Sequence, residues 1–90
     1  MPQYLHDPHS DLDYTWDWSD WLVDGDSGSS YEVIDASVDL TLGAQVITAT
    51  AYTRWIEGGT VGELYPVTCR ITTAEGRVDD RTIQLLCRER

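Results

Sequence analysis

The side chains able to do chemistry in this sequence fall into three groups, and each misses the arrangement its chemistry needs. His6, Asp7 and His9 in "HDPH" could ligate a metal or supply a general base. Both roles need groups held rigidly in reach of their target, with a second layer of partners behind them. The surrounding "MPQYLHDPHSD" is polar, carries Pro2 and Pro8 and lacks periodicity, so residues 1–12 read as an extended arm outside the packed body. Asp24 and Asp26 in "DGDSGS" have the first spacing of a calcium loop, with Asp20 nearby. A glycine stands where the third oxygen ligand belongs, however, and the twelfth position is Asp35 rather than Glu, so the stretch reads as a turn. Asp79 and Asp80 could suggest glycoside hydrolysis, but neighbours on a strand point to opposite sides, whereas two catalytic carboxyls must flank one bond. No catalytic constellation results, and neither metal nor cofactor is expected.

The remaining candidates are contact residues. In "DYTWDWSDWL" Tyr14, Trp16 and Trp18 alternate with Asp13, Thr15 and Asp17, which is the period of a strand. The three aromatics would line its inner face, each burying about 150–250 Å², with Asp13 and Asp17 on the wet side. A carbohydrate-stacking platform is the competing use of the same residues. Residues 18–23 either continue the strand or form one helical turn opened at Ser19. Trp21 and Trp55 lie beside turns, where half-exposure is expected, and Trp21 is a candidate contact. Arg77, Asp79, Asp80 and Arg81 read as a charged hairpin tip, with Arg77 best suited to a bidentate, desolvated pair. Tyr4 and Leu5 are the candidate contacts of the arm.

These residues must be positioned by one small domain, since 90 residues bury only roughly 60–65% of their unfolded surface. That leaves little room for an enclosed active site. The charge is uneven: residues 1–45 carry nine Asp and one Glu with no Lys or Arg, and residues 46–90 carry six Arg against six acids. A chain of net charge -10 without a basic patch is a poor partner for nucleic acid. No apolar run approaches the roughly 20 residues that span a bilayer, and the N-terminus has no basic-then-apolar secretion pattern. Cytoplasmic synthesis is therefore expected, with no membrane association and no small-molecule substrate. In that compartment Cys69 and Cys87 are expected reduced and buried, although they are compatible with a single disulfide.

The positioning elements are strands. "YEVIDASVDLTL" with a bend near Ala36, "AQVITATAYTRWI", "LYPVTCRITT" and "RTIQLLCRE" are rich in β-branched and aromatic residues and separated by Gly- and Asp-containing turns. No segment sustains a 3.6-residue apolar repeat, so the fold is expected to be all-β, of about seven short strands, as a sandwich or a small barrel. Tyr65, placed just after a Gly-containing corner and two residues before Val67, resembles the tyrosine corner of immunoglobulin-like antiparallel sandwiches. Val67, Cys69 and Ile71 on one strand, with Ile83, Leu85 and Cys87 on the next, supply a paired inner surface. The sandwich domain is expected over residues 13–90.

In order and spacing, "HDPHSDLDYTWDWSDWL", "GDSGSS" and "TRWIEGGTVGELYPVTCRITTAEGRVDDRTIQL" resemble the fiber-tail adaptors, small virion proteins of tailed bacteriophages. The likeness runs from about Asp7 to Leu86. It is most specific at Asp13-Tyr14, Asp17-Trp18, Trp21-Leu22, Gly58-Gly59-Thr60 with Gly62 and Tyr65, and "RITTAEGR" leading to Asp80-Arg81. Trp16 departs from the pattern, which has an aliphatic residue there, but keeps an inward apolar side chain. The resemblance implies a non-enzymatic adaptor joining fibers to the tail or baseplate, with other virion proteins and copies of itself as partners. Head-tail joining and capsid decoration are alternative positions for such a module.

Overall fold

The computed structural model describes residues 3–88. Seven strands follow one another along the chain: β1 (Gln3–His6), β2 (Leu12–Asp17), β3 (Gly28–Asp35), β4 (Leu40–Ile47), β5 (Ala51–Gly58), β6 (Leu64–Thr73) and β7 (Val78–Cys87). They form two sheets, of order β1-β7-β6-β3 and β2-β5-β4. Among the described residues there is no helix.

Alternation in the sequence becomes the two faces of each sheet. On β6, Tyr65, Val67, Cys69, Ile71 and Thr73 are buried while Leu64, Pro66 and Arg70 are exposed. On β7, Ile83, Leu85 and Cys87 point the same way. These residues meet Tyr14, Trp16 and Trp18 from the β2 side and Tyr52 and Ile56 from β5 in one core. The expectation that Tyr14, Trp16 and Trp18 are inner-face residues holds, and Trp18 is 0% exposed. Both cysteines are free and buried. Cys69 stands opposite Arg81, six positions before Cys87 on β7, so the two thiols lie about 20 Å apart at the ~3.3 Å rise of a strand. A disulfide needs Cα atoms within about 7 Å, which excludes one between them. Burial pushes the Cys69 thiol up to about 12, leaving it protonated and inert.

Three details differ from the sequence reading. The N-terminal segment is not an arm over residues 3–6: Gln3–His6 pairs with Gln84–Cys87 in the sheet. That pairing is parallel, so the first sheet is mixed rather than wholly antiparallel. "AQVITATAYTRWI" is not one strand either. It breaks at Thr48, whose hydroxyl accepts hydrogen bonds from the N–H groups of Thr50 and Ala51 and so closes the β4–β5 turn.

The turn at residues 18–23 resolves to the helical option. The N–H groups of Trp21 and Leu22 both donate to the Trp18 carbonyl. It is opened by Asp17, whose carboxylate accepts from the Ser19 N–H at 2.8 Å, rather than by Ser19 itself. The Ser19 backbone and hydroxyl donors hold the Asp17 carboxyl below its ordinary range, with burial opposing them.

The strand directions place three connections at each end. The β2–β3 loop, the β4–β5 turn and the β6–β7 turn share one end, tied by Trp18 N–H to the Thr50 carbonyl, Gly28 N–H to the Ala49 carbonyl and Ala74 N–H to the Ser27 carbonyl. The β1–β2, β3–β4 and β5–β6 connections share the other. The body measures 43 × 23 × 20 Å. Only the strand direction is long enough for the 43 Å axis, so the two loop ends are far apart.

Candidate functional site

The end formed by the β2–β3 loop and the β6–β7 turn gathers the residues singled out from sequence more closely than any other region. Trp21 and Arg77 meet there, the Arg77 guanidinium stacking over the indole with Cζ 4.4 Å from the ring centroid. Asp26 pins the two segments together, its Oδ1 accepting from the N–H of Ser27 at 2.9 Å and of Glu75 at 3.2 Å. Burial pushes the Asp26 carboxyl up, but hydrogen bonds from Thr73, Ser27 and Glu75 and the charge of Arg77 outweigh it and hold the group below its ordinary range. "DGDSGS" therefore acts as a staple, with Asp26 bonded to the neighbouring turn. Two polar atoms of this end, Asp26 Oδ2 and Arg77 Nη1, are buried without a hydrogen-bond partner. Val23, beside them, is half exposed.

Arg77 closes the β6–β7 turn, its N–H donating to Thr73 Oγ1 and its carbonyl accepting from the Thr73 N–H. Asp79, Asp80 and Arg81 lie beyond the tip, within β7. As adjacent strand residues they part. Asp79 turns inward, where its Oδ2 accepts from the Trp18 indole N–H at 3.0 Å and sits 3.4 Å from Arg81 Nε. Asp80 turns outward into a bidentate pair with Arg70, at 2.7 and 3.0 Å. The Arg70 hydrogen bonds hold the Asp80 carboxyl low and raise the guanidinium further. Arg81 spans the two sheets, its Nη1 donating to the Asp17 carbonyl at 2.7 Å and its guanidinium lying 5.4 Å from the Trp18 ring. Arg77, grouped from sequence with these residues as a charged hairpin tip, stacks on Trp21.

Tyr4 and Leu5 diverge because they are neighbours on β1. Tyr4 leans inward against Tyr14, ring centroids 5.5 Å apart, and lines an open cleft of about 240 Å³ between β1, β2 and β7 that Arg81 also lines. Leu5, 52% exposed, points outward. The pairings Leu5–Leu86 and Leu86–Leu64 set three leucines in a row across the outer face of the first sheet.

Two residues differ from the sequence reading: His6, placed there in an arm that would hold nothing rigidly, and Asp39, which was not singled out. His6 is 0% exposed. Its Nε2 lies 3.1 Å from the Gly58 carbonyl, which can only accept, so Nε2 carries the proton and Nδ1 accepts from the Tyr14 hydroxyl at 2.7 Å. Burial lowers the His6 pKa, with Gly58, Asp7 and Asp11 partly opposing. Asp39 is the second: its Oδ2 accepts from the Tyr65 hydroxyl, which itself accepts from the Thr60 N–H at 2.8 Å. No spacing in the sequence links either residue to its partner, because the contacts join segments 8 to 52 positions apart for His6 and 26 apart for Asp39.

The tryptophans share no exposed platform. Trp16 and Trp18 are core, Arg77 covers one face of Trp21, and Trp55 lies on the outer face of the second sheet, opposite Asp13. Among the described residues no group of three His, Cys, Asp or Glu is placed to hold a metal ion. What this geometry offers is recognition surface: a Trp–Arg stack at one end, a leucine row on one face and an open cleft along one side. Among curated proteins none matches the chain. The family described as podophage GP4 fiber-tail adaptor protein gp77 does match, over residues 6–86 of the 90, and the chain belongs to that family.

Proposed function

We propose that this protein is a non-enzymatic adaptor of a tailed-phage virion, joining fibers to the tail through protein–protein contacts, with other virion proteins and copies of itself as partners. The observation that carries the reading is the family match, which spans both sheets and every connection between them. Grouping β3, β6 and β7 in one sheet and β2, β4 and β5 in the other supports an immunoglobulin-like sandwich, whose constant-type domains group their strands in this way. The Tyr65 hydroxyl tied to backbone five residues upstream supports it further. Such a body suits an adaptor because its two loop ends stand at opposite ends of a 43 Å axis and can engage different neighbours. Trp21, Arg77, Asp79, Asp80 and Arg81 belong to one end or to the strand leading from it, and Tyr4 and Leu5 to the side, as the contact residues of this reading.

The test is genetic. Phage grown without this protein should yield particles with heads and tails but no fibers, and supplying the chain in trans should restore them. Fiber-complete particles made in its absence would overturn the reading.

A further inference from the structure

β1 covers only part of the strand it pairs with. Its partners are Gln84–Cys87, so among the described residues the outer edge of β7 from Val78 to Ile83 has no neighbouring strand. Backbone N–H and C=O groups on such an edge are a template for another chain. Other edges are handled differently. β3 carries register shifts between Gly28 and Ser30 and between Val33 and Asp35, and β4 carries one between Leu42 and Gln45. Bulges of this kind interrupt the ladder and blunt an edge against pairing. The pairings of β7 and β2 are unbroken.

The vacant stretch of β7 runs along the cleft between the sheets, whose walls include Thr15, Trp16, Asp17, Arg81, Thr82 and Ile83. A strand laid there would turn alternate side chains toward the cleft and the others to solvent. Charge selects the occupant. Asp17 stands in the cleft wall, Arg81 beside it is already engaged by the Asp17 carbonyl and the Asp79 carboxylate, and the molecule carries a net charge of -10. A second copy brings the same excess of acid, whereas a cationic segment is attracted.

We infer that the β7 edge from Val78 to Ile83 receives an extended, Lys- or Arg-bearing segment of a different virion protein as an added strand. This rests on the adaptor reading and specifies how one partner is held. A photo-crosslinking amino acid placed singly at Val78, at Thr82 and, as control, at Thr41 on the bulged β4 edge tests it in assembled particles. The expected result is a crosslink from Val78 and Thr82, absent from Thr41, to one segment of another virion protein containing Lys or Arg. Particles that contain the substituted chains but show no crosslink at Val78 or Thr82, or show one to a second copy of this chain, would overturn the inference while leaving the adaptor reading intact. Absence of the unsubstituted chain from particles would overturn the adaptor reading itself.

Discussion

At the residue scale, a neutral imidazole at His6 satisfies both of its neighbours, donating to the Gly58 carbonyl and accepting from the Tyr14 hydroxyl. A second proton would place a charge on a ring that burial shields from solvent, which disfavours it. The folded protein therefore binds this proton less readily than the unfolded chain, whose histidine titrates near about 6.5. Stability from His6 is complete above that pH and falls as pH drops from about 6.5 toward the lowered folded value. Thermal melts should hold steady above pH 7 and decline as pH falls below about 6.5, and His6→Gln should flatten the decline; an unchanged decline in the variant would contradict this. Asp17, Asp26 and Asp80, all held below the ordinary carboxylate range, lose their contribution in a separate window, below about pH 4. Tyr65→Phe removes a hydroxyl that accepts from Thr60 and donates to Asp39, and should lower the unfolding free energy by about 1–2 kcal/mol in a denaturant titration. Trp21→Ala and Arg77→Ala break a half-buried stack at the margin of the core, so both should fold with native melting cooperativity yet reduce incorporation into particles; full incorporation of both would remove this end from the contact surface.

At the element scale, the strands with strict alternation were readable from sequence and those without it were not. Residues 13–18, β6 and β7 each bury one face against the other sheet, which imposes a period of two on the residue types. β1 has no such mark. Its inner residues are Tyr4 and His6 and its outer ones Gln3 and Leu5, so polar and apolar types fall on both faces, and the flanking prolines look like loop. What holds it is the β7 ladder and the His6 hydrogen bonds, neither of which a local pattern can display. The Trp21–Arg77 stack was half legible: each residue was singled out alone, but their meeting depends on the fold bringing two turns to one end. The corner before β6 shows the opposite case. Gly58 and Gly59 have φ of +91° and +102°, and a Cβ on Gly59 would lie 2.6 Å from Cys87 Sγ. Gly59→Ala should cost about 1–3 kcal/mol from backbone strain, before any repacking around Cys87. A variant as stable as the parent would show that the corner relaxes.

At the scale of the whole molecule, the contrast between an acidic first half and an arginine-bearing second half does not become two opposed faces. β5 inserts between β2 and β4, and β6 and β7 lie between β1 and β3, so the fold interleaves the halves in both sheets. Four of the six arginines are also spent locally: Arg54 on the Gly43 carbonyl and Tyr52, Arg70 on Asp80, Arg77 on Trp21, Arg81 on Asp17 and Asp79. Complementary packing of neighbouring copies by opposite halves therefore has no large field behind it, and acid stays in net excess on the molecule. That excess favours cationic partners and raises the salt dependence of their binding, so capture of the chain by fibers or tails should weaken as ionic strength rises. Salt-independent capture would point instead to apolar contact, with the row of Leu5, Leu86 and Leu64 as its first candidate. The most direct measurement of the central claim is a reconstruction of the intact virion with this chain traced in it. The adaptor account predicts its density between tail and fiber, contacting both; density confined to the capsid surface, or to a head-tail junction without fiber contact, would contradict it.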